Sequence, residues 1–492
     1  MKPPFSGSRF VLTTAVAFLS LLSSSAGADN NTVSFTDDGF LRIDGKPRLL
    51  LGLYECPKED AVLKEAAANG FNLVETGADG KELDRVRDAG FYAWINLGRA
   101  LALAEGDDVA EKALAAKVKD FMGHPALLCW EGPDEALWGE WFACYDWLSQ
   151  EQPLALAGLI QQSATAHTKE EVTAYEKTLE KAVDFTYRCL WKESEALYDS
   201  LWTTLAKGNP HPELRVTERI AAATILGDQL TRGWERVWTI DKSHVFWQNH
   251  APGNALVDLR LFNRGVHAAG CDIYPAPANT GVRHASNGRD LDLTSVGEFT
   301  DYMRAAAPGK ACWMVLQGFG WTDLKDRFNP IDPEPGRRPT YQESRFMAYD
   351  ALLHGANALL YWGTYVLEKD GTMWKDLLKV AKELRALEPA IVGVKPPEQP
   401  VAIGERNHTA FNGGDPKLIL RQVGEDWALL AVNEWRFGLA FDVQGLPLAL
   451  NGKKLYRLYS DEEVLVQQGG FHDGIPKQDA FIYATTRDFE AK

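Results

Sequence analysis

Apolar residues recur along this chain in short runs, each followed by a stretch with helical periodicity. The runs fall at 48–55, 71–75, 91–97, 126–131, 243–249, 270–274, 312–317 and 358–363. Eight buried strands alternating with helices imply right-handed parallel crossovers. They predict an α/β chain closed into a (β/α)8 TIM barrel, with its site at the C-terminal ends of the strands. A hairpin over 33–52, turning at Asp44-Gly45-Lys46-Pro47, precedes it.

Two segments break the rhythm. Strands 4 and 5 are separated by more than a hundred residues, with charged runs such as Lys169-Glu170-Glu171, which predicts a helical insertion over about 148–214 with Pro210 and Pro212 marking its exit. Beyond Gly393 the pattern turns to short alternating strands at 418–421, 427–432, 438–443, 455–459 and 480–484, broken by Gly and Asn turns. This predicts a small all-β sandwich. The Pro-rich stretch 395–400 divides a barrel domain, 29–395, from a C-terminal domain, 396–492.

The first 28 residues read as a cleavable signal peptide: Lys2 and Arg9, an apolar stretch from Phe10 to Leu22, and the small-residue exit Ala26-Gly27-Ala28. The expected location is secreted or periplasmic. No later apolar run has spanning length. The formal charge of −16 becomes −18 once Lys2 and Arg9 leave with the leader, which argues against nucleic acid as a partner. Six scattered cysteines lack the paired spacing of a zinc site; Cys129, Cys271 and Cys312 sit in strand-like runs as buried thiols, and a disulfide among the others is left open. The ten His show no HxH or HExxH spacing, and no phosphate-cradling or dinucleotide glycine motif occurs, so neither metal nor cofactor is expected. Oligomeric state is not encoded in any legible pattern.

Candidate chemistry concentrates where strand 4 ends, at Trp130-Glu131-Gly132-Pro133-Asp134-Glu135. An Asp-Glu pair at a strand tip is placed for proton transfer, although acidic residues also cap helices. Glu135 is expected in the central cleft as a general acid with a raised pKa.

The opening Phe40-Leu41-Arg42-Ile43-Asp44-Gly45-Lys46-Pro47, with a strand ending near Gly52, resembles the start of many glycoside hydrolases of the large retaining clan A. Trp247 to Pro252, Cys271 to Pro275, and the segment from Arg345 to Trp362 are similar to secreted glycoside-hydrolase-like barrels that carry a C-terminal β-sandwich. The resemblance implies a Glu acid/base at the tip of strand 4, matched by Glu135, and a Glu nucleophile at the tip of strand 7. Here the strand-7 position holds Gln317, an amide that cannot attack an anomeric carbon, and Asp134 stands where the clan usually has Asn.

Three repairs remain open. Asp272, at the tip of strand 6, can pair with Glu135 as an inverting couple if the carboxyls lie roughly 6.5–9.5 Å apart. Asp134 can orient a substrate 2-acetamido group, as in substrate-assisted hexosaminidases, with Gln317 or Tyr274 as polar contacts. Glu55, ending strand 1, can supply the second carboxylate, although capping of helix 1 suits it too.

Sixteen Trp support carbohydrate binding, because a sugar's C–H face packs on indole. Trp138, Trp321, Trp362 and Tyr365 fall near predicted strand ends, as do Asn249 and His250, which can bind hydroxyls. Two functions follow: a secreted glycoside hydrolase acting on an oligo- or polysaccharide, or a non-catalytic carbohydrate-binding barrel that lacks the strand-7 nucleophile.

Overall fold

The computed structural model describes residues 32–188, 190–206, 208–277, 292–324, 337–405 and 414–492. The leader 1–28 and Cys189 lie outside them. Eight parallel strands close a barrel in sequential order: β1 (Leu50–Leu53), β2 (Leu73–Thr76), β3 (Tyr92–Asn96), β4 (Leu127–Glu131), β5 (Val245–His250), β6 (Ala268–Cys271), β7 (Ala311–Gln317) and β8 (Ala358–Trp362), which pairs back onto β1. An antiparallel hairpin, Leu41–Ile43 with Lys46–Arg48, precedes it.

The strands read as near-continuous apolar runs because both faces are buried. Alternation sorts the side chains. Leu50, Leu73, Trp94, Cys129, Val245, Trp247, Trp313 and Leu360 fill the barrel interior. Leu51, Val74, Trp130, Phe246, Met314 and Leu359 face the helices. The backbones of β6 and β7 approach closely at Gly270, where a Cβ would lie 1.5 Å from the Trp313 carbonyl oxygen.

The helices are α1 (Asp60–Ala68), α2 (Gly80–Asp88), α3 (Asp108–Phe121), α4 (Ala136–Asp146), α5 (Gln152–Ser163), α6 (Lys169–Tyr187), α7 (Trp191–Leu205), α8 (Val216–Ile240), α9 (Leu256–Phe262), α10 (Ser295–Ala306), α11 (Tyr341–Leu353) and α12 (Thr372–Ile391). The expected insertion at about 148–214 holds α5 to α7, with α4 just before it. It has its own core of Trp147, Leu156, Ala182, Tyr198 and Trp202, with the Trp147 and Trp202 rings stacked at 6.1 Å. The charged run at 169–171 is a capped helix start, Thr168 and Glu171 forming a capping box. Val216 at the start of α8 packs with the insertion and Leu230 to Val237 with the barrel, so one helix carries both. Because α8 runs back from the C-terminal end of the barrel, the insertion rises from the mouth-side rim.

The C-terminal region has two antiparallel sheets over one apolar core that includes Leu429, Phe441, Val443 and Tyr483. Its strands are β9 (Val401–Gly404), β10 (Lys417–Val423), β11 (Asp426–Asn433), β12 (Leu439–Gln444), β13 (Lys454–Arg457), β14 (Glu463–Leu465), β15 (Phe471–Ile475) and β16 (Asp479–Ala484). Sequence pattern misses β9, β14 and β15, which are short and carry exposed or polar residues such as Val401, Ile403 and Asp473. Arg345 of α11 joins the two regions: it pairs with Glu383 and donates to Asp479 at 3.2 Å and to the Ala480 carbonyl at 2.7 Å. Cys56, Cys129, Cys144, Cys271 and Cys312 are free thiols, so no disulfide occurs among the described residues. No described helix is long and apolar enough to cross a membrane.

Candidate active site

The last inward-facing residue of each barrel strand, or the position just past it, sits at the mouth. In barrel order these are Tyr54, Glu75, Asn96, Glu131, Asn249, Asp272, Gln317 and Trp362. Glu131 is fully buried. Its carboxyl accepts from the Tyr54 hydroxyl at 2.9 Å, Trp94 Nε1 at 3.0 Å and Asn96 Nδ2 at 2.9 Å. Burial, then the nearby charges of Asp134 and Glu75, push it well above the ordinary carboxylate range, against the opposing pull of those donors.

Asp134 and Glu135 follow in the loop after β4. Asp134 is exposed at the mouth. It accepts from Asn249 Nδ2 at 2.8 Å and also contacts Tyr54 and the Glu135 N–H. Partial desolvation keeps its carboxyl raised despite these bonds. Glu135 is the N-cap of α4 but its side chain does not cap the helix; its φ of +45° is in the left-handed region, uncommon for any residue with a Cβ. Its carboxyl instead hydrogen-bonds Asp272. The two are therefore in contact, well inside the roughly 6.5–9.5 Å that an inverting couple needs for an intervening water. Asp272 is pushed to about 6 by burial and by Asp134.

Two more carboxyls complete the ring. Glu75 is raised to about 8 by burial and by the charges of Asp134, Glu55 and Glu82. Burial pushes Glu55 to about 7. Glu55 does not cap α1: it accepts from the Gly363 N–H at 3.1 Å and Thr364 Oγ1 at 3.3 Å, tying β1 to the loop after β8. Tyr274 closes one side, its hydroxyl in the field of Asp272, Glu135, Asp134 and Glu55. Trp362 stacks on its ring at 5.5 Å, and Tyr365, half exposed, meets Trp362 edge-on at 6.2 Å. Trp138, on α4 beside Phe142, is partly exposed.

Three expected contact residues are corrected. His250 ends β5 on its outward face, where Nε2 meets Asn263 Oδ1 at 2.8 Å; it is fully buried in the helical layer and held neutral, near 4, by that burial. Trp321 is a buried wedge whose Nε1 donates to the Tyr274 carbonyl at 3.3 Å, with no face left for a sugar. Gln317 does point inward but is fully buried, and both ends of its amide are committed to backbone atoms of Ala276 and Phe319. Glu131, Glu75 and Tyr54 carry no motif. The alternation Cys129, Glu131 and Leu73, Glu75 was the signal for the two carboxylates, since interior positions of a strand share parity.

A pocket of about 520 Å³ lies at the opposite end of the barrel and includes none of these residues. Convergent chemistry and topology, not cavity size, locate the candidate site.

No family model matches the sequence, and no match to a curated protein was found. Solved structures do match. The β-galactosidase of Bacillus circulans sp. alkalophilus superposes with a TM-score of 0.51 at 9% identity, over 89% of this chain and 99% of its own. Gan42B, a GH42 β-galactosidase from G. stearothermophilus, gives 0.49 at 9% identity over 89% and 98%. A glycoside hydrolase family 5 protein of Bacteroides vulgatus gives 0.47 at 12% over 92% and 93%. The protein is thus a (β/α)8 barrel with a C-terminal β domain, and its fold is that of glycoside hydrolase barrels.

Proposed function

We propose that the protein is a secreted glycoside hydrolase that cleaves O-glycosidic bonds in an oligo- or polysaccharide, with Glu135 as general acid. The observation that carries this reading is the hydrogen bond between Glu135 and Asp272 in a mouth walled by Tyr274, Trp362 and Tyr365. Two carboxyls in contact do not readily ionise together, so the pair holds one proton above the usual carboxylate range, with Asp272 itself pushed to about 6. A leaving glycosidic oxygen needs a donor that still carries its proton at working pH. Asp272, left as the anion, keeps that proton on Glu135. Asp134, oriented by Asn249, is placed to position a water or a substrate group. The aromatic wall offers the C–H stacking surface of a sugar ring, and the fold shared with the B. circulans β-galactosidase supports the same substrate class.

The alternative is a non-catalytic carbohydrate-binding barrel, favoured by one observation: β7 ends in a backbone-bound amide rather than a carboxylate. Aryl glycosides and natural polysaccharides, screened with the wild type and Glu135→Gln, separate the two. The hydrolase reading expects product from the wild type and sugar binding without turnover in the variant. Full activity in Glu135→Gln removes Glu135 from the mechanism, and binding without product in the wild type selects the binding protein. Export rests on the leader pattern of 1–28; N-terminal sequencing of exported protein is expected to begin near Asp29.

A further inference from the structure

At the end of the barrel opposite the mouth, α11 and the β domain bring together three ligand-type residues far apart in sequence: Asp350, His354 and Glu434. One ligand atom from each lies within 4.8 Å of the others. His354 Nε2 is 2.8 Å from Glu434 Oε1 and 3.7 Å from Asp350 Oδ1. Its other nitrogen, Nδ1, is 2.8 Å from Asp301 Oδ2.

The unusual member is Asp350. Its side chain has no exposure, Oδ2 accepts from the Gly297 N–H at 2.7 Å, and Oδ1, aimed at His354 Nε2, has no hydrogen-bond partner. A buried carboxylate oxygen without a donor is costly. A proton on Nε2 does not relieve it, because that proton is directed at Glu434. The helix backbone also fixes the arrangement: a Cβ on Gly297 would stand 2.4 Å from His354 Nε2 and 2.8 Å from Asp350 Oδ2.

We propose that Asp350, His354 and Glu434 bind a divalent transition-metal ion, zinc by donor type, that clamps the β domain to the barrel. One imidazole nitrogen and two carboxylate oxygens suit zinc, with water completing the shell. Asp301 on Nδ1 supplies the carboxylate that orients a ligating imidazole and fixes its tautomer. The ion would give Asp350 Oδ1 the positive partner it lacks. His354 also lines the 520 Å³ pocket, which provides an entry path from solvent. The role is structural and independent of the carbohydrate reading.

The test uses the full chain, stripped with chelator and titrated with Zn²⁺ by calorimetry, with Mn²⁺ and Ca²⁺ as comparisons and thermal unfolding as a second readout. The expected result is one tight Zn²⁺ equivalent that raises the melting temperature. Glu434→Gln, at a partly exposed position, should weaken it at least tenfold and abolish the thermal response, and Asp301→Asn should weaken it less. Glu75→Gln, in the acidic mouth, serves as control and should leave this equivalent intact. Absence of a tight Zn²⁺ equivalent, or equal zinc binding by the wild type and Glu434→Gln, would overturn the proposal.

Discussion

Gln317 and Ala276 are joined in both directions: Gln317 Oε1 accepts from the Ala276 N–H at 2.9 Å, and Nε2 donates to the Ala276 carbonyl at 2.8 Å. Nε2 also donates to the Phe319 carbonyl at 3.0 Å. The residue at the clan's nucleophile position therefore fastens the loop after β6, which carries Tyr274, to the end of β7.

That relationship makes the obvious repair harmful. Gln317→Glu replaces an amide donor with a carboxylate oxygen facing two carbonyls in a fully buried site. It should destabilise the fold by about 3 kcal/mol or more without creating or raising activity. Denaturant unfolding and a glycosidase assay on the same preparation check both halves, and a stable, more active variant contradicts this account of Gln317.

Asp272→Asn should move the alkaline limb of the kcat/KM profile to lower pH. An anion beside Glu135 favours its protonated form, and a neutral amide removes that effect. The profile is the readout because a merely structural loss would lower the rate at every pH without shifting the limb.

Glu75, raised to about 8, gives a stability prediction with a definite sign. The folded state holds this proton above the pH at which the unfolded chain releases it, so the group's contribution is full below the unfolded pKa near 4.5 and is lost as pH rises through about 8. Glu75→Gln should change stability little at pH 5 and raise it by up to ~5 kcal/mol at pH 9. Thermal melts at the two pH values decide it.

Asp241 has the opposite sign. Burial raises its pKa, but bonds from His244 at 2.6 Å and Trp130 Nε1 at 2.7 Å, together with Ser243, outweigh that and bring it to about 2. Its contribution is complete above the unfolded pKa near 3.8 and disappears as pH falls through about 2. Asp241→Asn should cost about 2 kcal/mol at pH 7 and progressively less in acid, measured by denaturant titration across that range.

Trp362→Ala removes the partner stacked on Tyr274. If this wall holds sugar, KM should rise about tenfold, a loss of ~1.4 kcal/mol, with kcat much less affected. An unchanged KM places the sugar elsewhere in the mouth.

The hydrophobic pattern by itself determined the barrel, because each buried parallel strand is a local apolar run and each helix after it a local amphipathic one. It likewise marked the insertion and the β domain, and placed Glu135, Asp272, Tyr274 and Trp362 near strand ends. Parity along each strand was legible too, and it already assigns Glu131 and Glu75 to the interior once Cys129 and Leu73 are read as inward. Contacts between distant segments were not legible. Whether Gln317 faces a sugar or the Ala276 backbone, whether Glu55 caps α1 or binds Gly363, and whether His250 points to the mouth or to Asn263 depend on which groups from remote strands arrive within 3 Å. Only barrel closure decides that. Glu135 shows the division most clearly: its position after β4 is written in the chain, but its turn away from the helix toward Asp272 comes from a left-handed backbone angle and from a carboxyl carried in by β6.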